Sequence, residues 1–243
     1  MDDSARRRAE YSTDASLYRV PPQVVAFPRD PDEAAAVAAT CLELGVPLTA
    51  RGAGTSIAGN AVGPGVVMDL SRHLRRVLAL DPEAATATVQ PGAVLDDLQA
   101  AARPSGLRFG PDPSTHSRCT LGGMIGNNAC GSHSVAWGKT VDNVVGLDVL
   151  TYRGSRLSLG ASGPGPIPDA LRALGERTAD DVRAGFPDLT RRVSGYNLDQ
   201  LLPGRVDLAK ALVGTEGTCA VLTGATVRLV ESPPARALAV LGF

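Results

Sequence analysis

Three glycine-rich stretches hold the residues best suited to chemistry in this 243-residue chain: Arg51–Gly65 (RGAGTSIAGNAVGPG), Gly110–Thr140 (GPDPSTHSRCTLGGMIGNNACGSHSVAWGKT) and Gly214–Thr218 (GTEGT). Each adjoins a run that reads as β-strand, and none has the composition of a flexible linker. Glycine lets backbone N–H groups come close to an anion and takes φ > 0 without a Cβ penalty. A nest of N–H groups from Gly52 to Ser56, with the hydroxyls of Thr55 and Ser56, would hold a pyrophosphate. Three such loops on one rigid scaffold point to a large, phosphate-bearing, non-peptide ligand gripped mainly by main chain.

Other chemistries fit less well. Gly52-Ala53-Gly54-Thr55-Ser56-Ile57 has the look of a Rossmann fingerprint, but Ile57 replaces the third small residue and no helical pattern follows before Val66. Gly138-Lys139-Thr140 lacks the opening glycine of a P-loop, because His133 stands there. His116-x-x-Cys119 and Cys130-x-x-His133 form a symmetric pair that could supply four zinc ligands. The intervening TLGGMIGNNA reads as a helix start rather than a zinc-knuckle turn, so thiols incidental to a ligand pocket are the better reading. His116, His133, Asp112 and several serines could be assembled into a hydrolase triad, yet no G-x-S-x-G elbow exists. Glu216, set between glycines at a strand entrance, reads equally as a turn residue and as a functional one.

The elements that must position these loops alternate between helix and strand. Val24–Phe27 is expected as a strand. Pro31 and Asp32 open a helix whose Ala34, Val37, Ala38, Cys41 and Leu42 recur at buried-face spacing, and Gly45 ends it. Val46–Ala50 is a second strand feeding the first loop, which makes the opening unit β–α–β. Val66–Asp69, Val77–Leu80 and Thr86–Gln90 follow as short strands, and Ala93–Ala102 as a helix burying Val94, Leu95, Leu98 and Ala102. Thr120 is a fitting N-cap for a short helix over Leu121–Asn128. Val144–Tyr152 pairs with Arg156–Leu159 as a hairpin across Arg153-Gly154-Ser155. Ala161–Pro168 is expected as a loop, Asp169–Arg183, Leu198–Leu202 and Asp207–Leu212 as helices, and Cys219–Val230 as a strand bulged at Gly224. Met1–Glu10 is charged and expected to fray. Ala237–Gly242 is expected to begin another strand, cut at Phe243 from a longer architecture.

Composition narrows the classes. The 44% hydrophobic content fits a soluble globular protein, and 24 basic against 25 acidic residues leave a net charge of -1, with no field for nucleic acid or an acidic membrane. Aromatics at 4% also argue against a base-stacking platform. Cys41, Cys119, Cys130 and Cys219 are few and scattered, with no secretory signal ahead of them. That pattern favours reduced thiols in a cytoplasmic protein, with peripheral attachment to the inner face of a membrane through a partner left open. No apolar run is long enough to span a bilayer.

Four strings in order, RGAGTSIAGNA (Arg51–Ala61), Gly110–Thr140, SGYNLDQLL (Ser194–Leu202) and VGTEGTCAVLT (Val213–Thr223), together with the opening EYSTDASLYR (Glu10–Arg19), closely resemble the FAD-binding domain of the vanillyl-alcohol oxidase, or PCMH-type, flavoprotein superfamily. The nearest likeness is to its glycolate oxidase and D-lactate dehydrogenase branch, which includes large FAD-linked oxidases fused to an iron–sulfur domain. The resemblance spans nearly the whole chain. It implies an α+β fold of two α/β lobes, residues 20–80 and 81–235, with FAD between them and residues 236–243 beginning a cap domain that carries the substrate site.

By that resemblance Gly52, Ala53, Gly54, Thr55 and Ser56 wrap the FAD pyrophosphate, with Gly59 and Asn60 nearby. Pro111, Asp112, Ser114, Thr120, Gly122, Gly123, Gly126, Asn127 and Gly131 run beneath the dinucleotide toward the flavin. Glu216 and Gly217 lie near its ribityl or adenosine part, with Val221 closing over it. Covalent relatives attach flavin through a histidine or cysteine at the places of Thr55 and His116, so FAD is expected to be non-covalent. His116 and His133 are expected near the flavin, but neither matches a base of the family, and no metal site is expected. The implied reaction is hydride removal from a D-2-hydroxy acid to flavin N5, with electrons passing to an iron–sulfur domain, a quinone or a cytochrome. An iron–sulfur cluster is expected only in a missing C-terminal region. Two other readings stand beside this one: an FAD-binding module inactive alone, and a non-redox nucleotide-binding sensor.

Overall fold

The computed structural model describes residues 1–160, 163–189, 191–235 and 237–242. After a short helix α1 (Ala5–Glu10) come β1 (Val24–Ala26), α2 (Pro31–Leu44), β2 (Leu48–Arg51) and β3 (Val66–Asp69). Strand β3 lies between β1 and β2 and is parallel to both, so the expected β–α–β unit closes into a small sheet. Helix α2 starts where Asp30 accepts the Glu33 N–H at 2.8 Å and Pro31 pre-sets the first turn; it stops at Gly45, held at φ +63°. Its buried stripe is narrower than the sequence suggests. Ala34, Ala38 and Cys41 are inside, whereas Leu42 is 57% exposed, because the sheet it covers has only three strands.

The second lobe holds β4 (Val77–Asp81), β5 (Thr86–Val89), α3 (Leu95–Ala102), β6 (Leu107–Arg108), α4 (Leu121–Asn127), α5 (Ser134–Trp137), β7 (Val144–Thr151) and β8 (Arg156–Leu159), then α6 (Pro166–Arg177), α7 (Ala179–Gly185), α8 (Leu208–Leu212), β9 (Ala220–Arg228) and β10 (Val230–Glu231). Five of these strands form an antiparallel sheet in the order β4-β5-β9-β7-β8, and β6 pairs separately with β10. The architecture is α+β. The boundary expected at residue 80 falls inside β4, which belongs to the second sheet.

Successive strand residues face opposite ways, and the large sheet uses both faces. Val89, Leu147, Val149, Ala225 and Val227 pack with Leu98 of α3, Met124 of α4 and Leu208 of α8 in one core. Leu150 and Val221, on the other face, join Ala34, Ala38, Met68, Leu70 and Leu74 of the first lobe in a second core. This apolar seam fixes the lobes against each other.

Several elements differ from expectation for identifiable reasons. The charged start does not fray: Ser4 caps α1 by accepting the Arg7 N–H at 3.3 Å, and Asp2 exchanges backbone hydrogen bonds with Val25. The single helix expected over Asp169–Arg183 is two, separated at Thr178. The bulge expected at Gly224 leaves Thr223 as the extra residue, since Asp148 faces Gly224 and Val149 faces Leu222. β9 ends at Arg228, and Val230–Glu231 turns away to pair with β6. Ala237–Gly242 is not a strand and pairs with no described strand, and Leu238, Val240 and Leu241 are exposed. Residues 161–162 of the expected loop, and Arg236 and Phe243 of the expected cap segment, lie outside the described residues. Among the described residues no helix is long and apolar enough to cross a membrane.

Candidate functional site

One cleft runs between the lobes, and all three glycine stretches line it. Arg51–Ser56 and Asn60–Ala61 form the first-lobe wall; Pro91, Thr120, Gly122, Gly123, Gly126 and Asn127 form the opposite one; Thr215–Gly217 closes one side. Ile125, Leu147, Val149, Leu212 and Leu222 add an apolar floor. The cleft has about 990 Å³ free of protein atoms, its open mouth included.

The first wall offers donors. The backbone N–H groups of Gly52, Ala53, Gly54, Thr55 and Ser56 have no acceptor among the described residues. Such amides persist only where water or a ligand receives them. Gly54 has φ +68°, and a Cβ there would meet the Arg51 guanidinium at 2.6 Å, so the turn needs a residue without a side chain.

The second wall is built on α4. Thr120, itself 2% exposed, caps that helix by accepting the Gly123 N–H at 3.2 Å, while the Gly122 N–H donates to the Pro91 carbonyl at 2.7 Å. The helix ends at Asn128, held at φ +48°, whose side chain accepts the Val141 N–H at 3.0 Å. The third loop hangs from this helix end: Gly214 N–H donates to Ile125 and Glu216 N–H to Gly126, each at 2.9 Å. Tyr152 donates its hydroxyl to the Gly217 carbonyl, and burial, followed by nearby Cys219, raises its pKa and keeps it a donor.

Glu216 has φ +53°, so its backbone is in the left-handed region that β-branched residues resist. Glu216→Val is therefore expected to cost about 1–2 kcal/mol, a fall of roughly 2–8 °C in melting temperature by calorimetry. Glu216→Asn, which tolerates that conformation, should melt with the parent. An equal fall for both would show that the carboxylate, not the backbone, matters.

Thirteen of the expected cofactor residues line this cleft: Gly52, Ala53, Gly54, Thr55, Ser56, Asn60, Thr120, Gly122, Gly123, Gly126, Asn127, Glu216 and Gly217. Six do not. Gly59 (φ +84°) packs against the Tyr18 ring, and Val221 is 1% exposed in the core between the lobes. Pro111 is buried, Ser114 is exposed, and Gly131 lies against Asp112. Asp112 faces a second, open cleft. There it pairs with His133 Nδ1, while Asp96 holds His116 Nδ1 at 2.8 Å. The Trp137 ring stacks on His133 at 5.0 Å, and the Arg108 guanidinium covers it at 4.7 Å. Cys119 is buried, and burial raises its thiol pKa. Among the described residues no three His, Cys, Asp or Glu side chains gather as metal ligands would.

The floor residues escaped the sequence reading. Leu147 and Val149 carry an alternating pattern that marks a buried strand face, and nothing in it tells a ligand cleft from a protein core. Arg51 and Pro91 carried no signal beyond their places beside the glycines.

Residues 22–160, more than half of the chain, match the family described as FAD binding domain. The chain belongs to that family. The FAD binding domain chain is 36% identical to "D-2-hydroxyglutarate dehydrogenase" of Pseudomonas putida over 93% of its own length and 24% of the relative's. It is 34% identical to "Glycolate oxidase subunit GlcD" of Bacillus subtilis over 96% of itself and 42% of that protein. It thus spans roughly a quarter to two-fifths of the curated relatives it matches. A solved structure of alkyldihydroxyacetonephosphate synthase superposes on 96% of the chain with a TM-score of 0.68 at 21% identity, which shows a shared fold.

Proposed function

We propose that this chain is the FAD-holding portion of an oxidoreductase acting on a D-2-hydroxy acid, with the dinucleotide bound non-covalently between the lobes. One observation carries the reading: Gly52–Ser56, whose amides have no acceptor among the described residues, line a single cleft together with α4 and all three glycine stretches. The residues fit the group. Clustered main-chain donors suit a diphosphate, and the apolar floor of Leu147, Val149 and Leu222 suits a flat aromatic ring.

The chemistry a bound flavin supplies is acceptance of a hydride from the substrate's α-carbon. This chain's own part is to bind, orient and exclude water. Arg51 and Glu216 are the titratable side chains lining the cleft, and the Arg51 guanidinium already serves the Thr13 and Ala61 carbonyls at 2.9 and 3.0 Å. Among the described residues lining the cleft, Glu216 is the one carboxylate. The names of the relatives favour D-2-hydroxyglutarate, with glycolate and D-lactate as the neighbouring candidates. Electrons would pass to an iron–sulfur domain, a quinone or a cytochrome, and the setting proposed is cytoplasmic, at most peripheral to the inner membrane face.

Titrating the purified chain into FAD tests this directly. Quenching of flavin fluorescence with one site per chain is expected, and acid precipitation should release all of the colour. An unchanged FAD signal alongside tight binding of another nucleotide would replace this reading with the sensor one. The chain alone is expected to show little or no turnover of these acids with an artificial acceptor.

A further inference from the structure

The first glycine loop is shaped from outside itself. Its own hydrogen bonds are few: Ser56 Oγ with Asn60 Oδ1 at 2.8 Å, and the Ala58 N–H to Ser56 Oγ at 3.3 Å. Residues 2–18 supply most of the rest. At the base of the loop, the Tyr11 hydroxyl donates to Asp69 Oδ2 at 2.5 Å, and the Arg51 guanidinium lies 5.0 Å from the Tyr11 ring. Arg51 also donates to the Thr13 carbonyl at 2.9 Å. In the middle, the Ala15 N–H donates to the Gly54 carbonyl at 3.0 Å. At the far end the Tyr18 ring fills the space beside Gly59, and Asp14 Oδ2 accepts the Ala61 N–H at 3.3 Å.

Every one of these contacts engages a carbonyl, a side chain or the Ala61 amide. None uses the amides of Gly52–Ser56. The segment thus ties the loop at both ends and once in the middle while leaving its anion-facing donors free. It is itself anchored elsewhere, through the Asp2–Val25 bridge and the Arg8 guanidinium on the Pro22 carbonyl at 2.7 Å. Buried Asp69, 5% exposed, completes the network by accepting from the Ser71 N–H and hydroxyl.

We infer that residues 2–18 are a strap that preorganises the Gly52–Asn60 loop for the dinucleotide, with Tyr11 and Asp14 as positioning residues that do not touch the ligand. This rests on the FAD reading above. Preorganisation raises affinity by removing the cost of ordering a loop on binding. A glycine-rich loop has more such cost than any other, because its backbone is freest when released.

The test compares the parent chain with Tyr11→Phe/Asp14→Ala by hydrogen exchange and by fluorescence titration with FAD. In the variant, amides of Gly52–Asn60 should exchange faster without ligand, while those of α3 and β7 stay unchanged. FAD should bind about tenfold more weakly, as expected from two lost hydrogen bonds of ordinary strength. Asp14→Asn, which keeps an acceptor for the Ala61 N–H, should recover part of the loss seen with Asp14→Ala. Unchanged loop exchange overturns the strap. So does faster exchange with unaltered FAD affinity, which would make the contacts structural only. If the parent itself leaves FAD fluorescence unchanged, the functional reading falls instead, and the exchange comparison still decides whether the strap orders the loop.

Discussion

Gly52→Ala is expected to weaken FAD binding about 100-fold. A Cβ at residue 52 would collide with Thr120 Oγ1, which lies well inside contact distance of that position. Thr120 cannot turn away freely, because the same oxygen caps α4 through the Gly123 N–H. Rotating it forfeits the cap, worth about 1 kcal/mol; leaving it displaces the first loop and its free amides. Losing one or two charge-assisted bonds to a diphosphate costs about 1.5–3 kcal/mol each, which gives the stated fold-change. Fluorescence titration measures it. Adding Thr120→Ala clears the collision and should restore part of the affinity. A double variant no better than Gly52→Ala would show that the two walls do not meet here.

Gly92→Ala should be strongly destabilising. Its Cβ would strike the Leu70 carbonyl and lie 2.6 Å from Ser71 Cα and 2.7 Å from the Leu74 carbonyl. All three are main-chain atoms of the connection leaving the first lobe, and the Gly92 N–H already donates to Leu74 at 2.7 Å. No side-chain rotation relieves this, so the lobes must separate locally. A cost of about 3 kcal/mol is expected for such overpacking, or a fall of roughly 6–12 °C in melting temperature. Ala at Gly106, which sits at φ +68° but has open space around it, isolates backbone strain from collision and should lose much less. Equal melting of the two variants would refute the steric argument.

What the sequence makes legible follows from how local each signal is. The β–α–β opening, the Thr120 cap and the hairpin of β7 with β8 rest on patterns within a dozen residues, and the structure has all three. Helix α1 was missed because no apolar stripe supports it; its anchor is a backbone bridge to Val25, which residue order cannot reveal. The two-residue strands β6 and β10 are too short to show a period at all. The glycine walls of the cleft announce themselves by composition. Its floor does not, since Leu147 and Leu222 carry the pattern of any core strand, and both also pack with the main core. Val221, expected to close over the ligand, lies in the core between the lobes, while its strand neighbours Ala220 and Leu222 line the cleft.

The dry contact among Met68, Leu74, Leu150 and Val221 bears on ligand exchange. Opening the jaws like a hinge would expose that patch to water at about 25 cal/mol per Å², whereas the loop tip at Ile57, 83% exposed, has little to lose by lifting. Any opening confined to that tip, between the Gly54 and Gly59 contacts of the strap, would cost less than parting the two halves of the molecule.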